Sequence, residues 1–214
     1  VAKVRKLKGV KKVVAGYQFD AQFSHADGKS GVTVYSQKDY KKSMLDRPEI
    51  VDGRYPQTSN ECLIDANLMK YGYKIGKTIK LTNDNGTAKY RIVGIGNDVR
   101  YISNMDRGTN TLGDGTNSGF VEVINEGARE LGLNKQVAQL RNNDHLYTSL
   151  LVDVEGTEKY NIFSDDYTNL VDTVNTRVKS TLSEEISEQY DKLTGDMQSQ
   201  LEEAQRQYDE GYKT

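Results

Sequence analysis

The chain has no tryptophan, two prolines and one cysteine among its 214 residues. A lone thiol, Cys62, excludes an internal disulfide. It stands in the apolar run Cys62-Leu63-Ile64, which suits a buried, inert thiol. No stretch approaches 18 apolar residues, so no segment reads as a transmembrane helix. Neither sign of charge dominates. Lys and Arg number 29, Asp and Glu 31, and the net charge is −2, which excludes a broad basic face for nucleic acid. The two histidines, His25 and His145, are far apart, and neither has a second ligand at metal spacing. There is no Gly-x-Ser-x-Gly elbow, no Cys/His pair and no Gly-Lys-Ser/Thr phosphate loop. The expectation is a protein that is not an enzyme, with no catalytic, cofactor-binding or metal-binding residue.

What is present is a mixture of short strands, turns and one long helical pattern. The length suits one large domain or two small ones. Residues 2–9 read as a short helix with Val4 and Leu7 inward, stopped at Gly9. Residues 10–24 read as a strand and 31–36 as its return, joined by the turn Ala26-Asp27-Gly28-Lys29. Residues 39–45 read as a short helix closed by Pro48. Lysines crowd the start (Lys3, Lys6, Lys8, Lys11, Lys12) and the C-terminal part is acidic, both as wet faces.

The most ordered pattern lies in residues 50–96. Asp52-Gly53-Arg54 reads as a turn, because glycine takes positive φ without steric cost. Pro56 fixes an extended entry. Cys62–Ile64 is a short buried strand, and Asp65 caps the helix after it. Leu68 and Met69 should face the core and Gly72 should end the helix. Thr78-Ile79-Lys80-Leu81 alternates as a half-buried strand does. Asn83-Asp84-Asn85-Gly86 is a hairpin turn, and Tyr90–Ile95 is the returning strand. Gly94 interrupts that strand, which points to a bulge or a close backbone approach.

Beyond it, residues 103–119 form a Gly/Asn/Thr-rich loop. Its segment from Asp106 to Asn117 is dense in oxygen ligands but lacks the spacing and the closing Glu of a calcium loop. Residues 119–124 read as a strand, 125–131 as a short helix and 146–154 as an apolar strand. From Asp165 to Tyr212 the chain reads as one helix, with Asp165 and Asp166 at its start. Its apolar stripe runs through Val171, Val174, Val178, Leu182, Ile186, Tyr190, Leu193, Met197, Leu201, Ala204 and Tyr208. The mean step is about 3.7 residues, which suits a nearly straight coil. A helix of roughly 65–70 Å cannot bury such a stripe on so small a domain. Ile186, Tyr190, Leu193, Met197 and Leu201 therefore call for a partner helix, either a returning helix of the same protein or a second copy.

The order of motifs in 50–96 resembles the extracytoplasmic (MacB-like periplasmic core) domain of FtsX-like ABC-transporter permeases. Gly53-Arg54 with Pro56 looks like the family's GR-x-P turn. Asn60-Glu61 with Leu63-Ile64 looks like its NE-x-x-I strand. Gly76 with Lys80-Leu81 looks like its G-x-x-I-x-L strand, and Val93-Gly94-Ile95 like its V-G-I strand. The likeness covers residues 1 to about 160 in outline, and these motifs define a fold, not an active site. It implies an α+β fold. A β-α-β porter-like subdomain (1–49 with 143–180) would carry an inserted small β-rich subdomain (50–142), followed by a coiled-coil-type helix (165–214). It further implies an excised soluble domain on the extracellular face of the cell membrane. Its partners would be its own transmembrane domain and a cytoplasmic ATPase subunit that drives export or acts on an extracellular partner. The loop at 103–119 and the long helix depart from shorter members. Few prolines, no tryptophan and many Lys, Asn and Tyr suit a low-GC Gram-positive bacterium. A cell-surface adhesion module on a coiled-coil stalk is the alternative from another class.

Overall fold

The computed structural model describes residues 1–42, 45–103, 107–133 and 146–211. The fold is α+β, a mixed sheet followed by a long C-terminal helix. The chain divides into two compact units, Val14–Leu151 and Val1–Val13 with Val152–Thr214. This is not the division expected from the sequence. The strands of residues 18–37 pair into the same sheet as those of 49–124, so no separate β-rich body begins at residue 50.

Among the described residues nine strands are formed: β1 (Val10–Gly16), β2 (Gln18–His25), β3 (Gly28–Gln37), β4 (Glu49–Gly53), β5 (Glu61–Asp65), β6 (Thr78–Asn83), β7 (Gly86–Asn97), β8 (Asn117–Ile124) and β9 (Ser149–Val154). β1 pairs with β9 in a two-stranded sheet. The other seven run in the order β4-β7-β5-β8-β3-β2-β6, and β6 also pairs with β7. Six of these strands therefore close into a ring, with β4 attached outside it on β7. Two pairs are parallel, β3 with β8 and β5 with β7.

The local chemistry explains the elements. Residues 10–24, expected as one strand, break at Gly16-Tyr17, where the Tyr17 carbonyl accepts from the Ser36 N–H at 2.9 Å. The β6–β7 turn forms as read, closing on Asn83↔Gly86, whereas the β2–β3 turn closes one residue earlier than read, on His25↔Gly28. Asp65 caps as expected, accepting from the Asn67 N–H at 2.8 Å, and Gly72 ends the element at φ +80°. The element is a 3-10 helix, Ala66–Tyr71, which corrects one inward residue. At three residues per turn, Leu68 and Tyr71 share a face and Met69 rotates off it. Leu68 is fully buried, whereas Met69 is 51% exposed. The helices expected near 2–9 and 39–45 are also corrected. The first is a single 3-10 turn, Val4–Lys6. In the second, the Asp39 carboxylate takes the N–H groups of Lys41 and Lys42 in a turn, so no helix propagates among the described residues there.

Inside the ring, alternate residues converge on one core. Val32 and Val34 come from β3, Cys62 and Ile64 from β5, Tyr90 and Ile92 from β7, Val121 and Val123 from β8. The register of β7 against β5 slips between Ile92 and Gly94. That extra residue reverses the alternation and lets Ile95 rejoin the core. Helix α1 (Asn125–Gly132) contributes Ala128 and Leu131 at the end where β8 finishes.

In the other unit, α2 (Asp165–Gly211) runs for 47 residues, about 70 Å at 1.5 Å per residue. Ser164 starts it by accepting from the Tyr167 N–H at 3.2 Å. Within that unit Val174 and Val178 are buried, Arg177 donates to the Lys8 carbonyl, and Lys3 pairs with Glu185 and Glu188 at 2.7 and 2.8 Å. Past this segment the apolar stripe is in solvent. Ile186 is 69%, Tyr190 65%, Met197 56% and Leu201 65% exposed. The side chain of Leu193 lies outside what is described. No helix among the described residues is long and apolar enough to cross a membrane.

Candidate functional site

The motif residues of 50–96 meet at one corner of the sheet. β4 ends at Gly53, whose φ of +78° belongs to the left-handed region. Asp52-Gly53-Arg54 is thus a strand end and not a turn. The Arg54 N–H donates to the Val93 carbonyl at 3.0 Å. A Cβ on Gly94 would stand 2.2 Å from the Arg54 carbonyl oxygen, so the close backbone approach read from the sequence is present. Arg54 turns back to grip Glu61 with both guanidinium nitrogens, the first at 2.9 Å. Glu61 also accepts from the Gln57 N–H at 2.9 Å. Arg54 holds the Glu61 carboxyl down to about 2, below the usual range. Pro56 is buried beneath this arch. The Asn60 carbonyl takes the Arg91 N–H at 2.7 Å, and the Gly76 N–H donates to Ile92 at 2.8 Å. Every one of these contacts is internal to the corner, and they hold backbone crossings together.

The chemistry that sequence reading missed lies on the outer face of β8. Val121 and Val123 point into the core, so Glu122 points out of the ring, yet it is fully buried. Tyr40, Asp46, Asp98 and Arg100 gather around it. Tyr40 donates its hydroxyl hydrogen to one carboxylate oxygen, and Arg100 Nη2 donates to the other at 2.6 Å. Arg100 also binds Asp98 through Nε at 2.9 Å and Nη2 at 2.6 Å, and Asp46 through Nη1 at 3.3 Å. Its guanidinium lies 3.6 Å from the centre of the Tyr35 ring, a cation–π stack. Three carboxylates therefore share one guanidinium. Burial pushes Glu122 up to about 7, against the pull of Arg100 and of the Tyr40 and Arg100 hydrogen bonds. Burial also raises Asp46, again opposed by Arg100. The one available signal was the pattern Phe120-Val121-Glu122-Val123, a charge inside an apolar strand. Its partners, at positions 40, 46, 98 and 100, carried no shared spacing.

A further ion pair, Arg107 with Asp65, lies beside the start of β8, where Arg107 also donates to the Ser118 carbonyl. Asp65 thus serves as both helix cap and ion-pair partner. The loop read as oxygen-rich uses its polar groups on the protein's own donors. Asp114 accepts from Ser30 at 3.0 Å and from Thr116, and Asn110 accepts from the Leu112 N–H. Asp106 lies outside the described residues. His25 bonds Ser30 at 3.0 Å and packs 4.4 Å from the Tyr71 ring centre, whereas His145 lies outside the described residues. Among the described residues no group of three or more acidic, His or Cys side chains could hold a metal ion.

No family model matches this chain, and no curated protein matches it. Among solved structures, the chain is similar to the extracellular domain of the noncanonic ABC-type transporter YknZ from Gram-positive bacteria. The identity is 14% and the TM-score 0.45, covering 74% of this chain and 72% of that one. It is also similar to the periplasmic region of MacB from Actinobacillus actinomycetemcomitans. There the identity is 12% and the TM-score 0.47, covering 84% of this chain and 71% of that one. At TM-scores under 0.5 the likeness is one of outline.

Proposed function

We propose that this chain is the extracellular domain of an FtsX-like, MacB-like ABC-transporter permease. The reading rests on the motifs, and one observation carries it. Residues drawn from three separate motifs, Gly53-Arg54, Glu61 and Val93-Gly94, are partners at a single corner, and Asn60 and Gly76 bond the neighbouring Arg91 and Ile92 of β7. Motifs scattered over some forty residues by chance would have no reason to bond one another. In this reading the domain is not an enzyme, and ATP hydrolysis belongs to a cytoplasmic subunit. The domain's own membrane helices transmit the resulting motion, which serves substrate export or acts on an extracellular partner. α2 is the ascending arm of a coiled-coil stalk on a Gram-positive cell. The exposed side chains of Ile186, Tyr190, Met197 and Leu201 support a covering helix, and a returning helix of the same ectodomain is the proposed occupant.

The test uses the full native protein, tagged in its own host. External protease should cut the domain in intact cells. The detergent-extracted protein should co-purify with a nucleotide-hydrolysing subunit whose turnover changes when α2 is shortened. A domain cut from outside but purified without any such subunit would favour the adhesion module instead. Full protection in intact cells would overturn both.

A further inference from the structure

The carboxylate cluster borders a cavity of about 250 Å³ within the Val14–Leu151 unit. Gln37, Asp46, Glu122, Arg100, Tyr35 and Gln18 are among its lining residues. Gln37 is the informative member. It is 2% exposed, and its amide nitrogen donates to the carbonyls of Leu45 at 2.9 Å and Asp46 at 3.2 Å. Those two bonds fix the amide orientation, because the flipped amide would set oxygen against two oxygens. Its Oε1 is left buried without a hydrogen-bond partner. Such an acceptor in a protein interior calls for an unobserved donor. The charges point the same way. Asp46, Asp98 and Glu122 face a single guanidinium, so two negative charges go unmatched when all three are ionised. The cavity therefore has one acceptor without a donor and, with Arg100 as the cation of the cluster, more negative than positive charge.

We propose that this cavity binds a small organic cation carrying a primary ammonium group, held by Gln37 Oε1 and the carboxylates of Asp46 and Glu122. An ammonium has three N–H donors and no acceptor, which complements a site rich in acceptors. A bare metal ion fits poorly, because the Arg100 guanidinium already stands among the carboxylates. The volume lies below the usual range for drug-sized ligands, so the occupant is a short alkyl amine or the end of a lysine side chain. Asp46 keeps about a quarter of its side chain in solvent, so the outside can reach the cluster. This inference does not depend on the transporter reading.

Three probes test it on the whole chain: n-butylammonium, 1,5-diaminopentane and Nα-acetyl-lysine methylamide, titrated while amide spectra are recorded. Saturable shifts of the Gln37 side-chain amide and of the Arg100 and Glu122 backbone amides are expected. A response to the lysine derivative alone would assign the source to a peptide side chain, and a response to the free amines to a metabolite. Affinity should rise between pH 5.5 and 8 as Glu122 ionises, within reach of Tyr40, Tyr35, Arg100, Asp98 and Asp46. Glu122→Gln should weaken binding at least tenfold at pH 8, with the near-UV spectrum retained. Asp46→Asn, at a half-buried site, should do so too if the first variant unfolds. Absence of saturable shifts for all three amines at millimolar concentration would overturn the proposal. So would binding that both substitutions leave unchanged, or a crystal structure with a water on Gln37 Oε1 that no amine displaces.

Discussion

Glu122→Gln should change how stability depends on pH, with a sign set by the burial of the carboxylate. The folded carboxyl is raised from 4.5 to about 7. In the pH interval between those values the folded state holds a proton that the unfolded chain has released. Stability therefore falls as pH rises through this interval, the reverse of the usual salt-bridged carboxylate. At 1.36 kcal/mol per unit, the wild type loses about 3 kcal/mol between pH 4.5 and 7. The amide has no proton to lose there. It keeps an oxygen for Arg100, and Arg100 retains Asp98 and Asp46, so the guanidinium stays compensated. Burial also raises Asp46, but that contribution is present in both proteins and cancels in the difference. The Glu61 contribution, with its carboxyl held near 2, is complete above pH 4.5 and is flat in this window. The melting temperature of the variant relative to wild type should therefore rise by roughly 6–12 °C from pH 5 to pH 8, for a chain of this size. Calorimetry at several pH values measures it. A difference that stays constant across the range would show that Glu122 ionises as an open, hydrated carboxyl does, and the cluster as described would be wrong.

Two glycines should respond oppositely to alanine. Gly94→Ala places a methyl against the Arg54 carbonyl and should cost several kcal/mol, whereas Gly195→Ala, with nothing within 4 Å, should gain about 0.5–1 kcal/mol in the helix; urea unfolding reads both. Ile186→Asp with Leu201→Asp should abolish concentration-dependent association in sedimentation and leave the near-UV spectrum unchanged, since both side chains are exposed. Association that persists would place the contact elsewhere. Calorimetric titration with magnesium-ATP should show no heat of binding, and a micromolar dissociation constant would overturn the assignment of nucleotide chemistry to another chain.

Legibility followed locality. The Asn83–Gly86 turn, the Asp65 cap and the Gly72 stop each depend on residues a few positions apart, and each could be read from its own neighbourhood. Met69 was misplaced because capping chemistry does not distinguish a 3-10 turn from an α turn, and one residue of phase decides which side chain is buried. The corner at Gly53 and Gly94 was legible as a constraint, a glycine inside a strong strand, though its cause is a carbonyl forty residues away. The division into units was misread because β2 and β3 were assigned away from 50–142. The parallel pairing of β3 with β8 leaves no mark on either strand alone. Glu122, a charge inside an apolar strand, went unread, because Arg100 that binds it and Asp46 that binds Arg100 lie far from it in sequence.

The ring of strands is not uniformly sealed. β2 and β3 share eight partnered positions, while β2 and β6 meet at one, Gln22 with Thr82, reinforced by the Asn83 side chain reaching the Asp20 carbonyl at 3.3 Å. A closed ring under thermal agitation opens where the fewest bonds must break together. This seam would part before any other, turning the barrel briefly into an open sheet with two fresh edges. The route by which solvent and proteases first reach Phe23, Leu81 and their neighbours would therefore be a hinged slit along one side, with Ala128 and Leu131 of α1 still packed at one end of the ring.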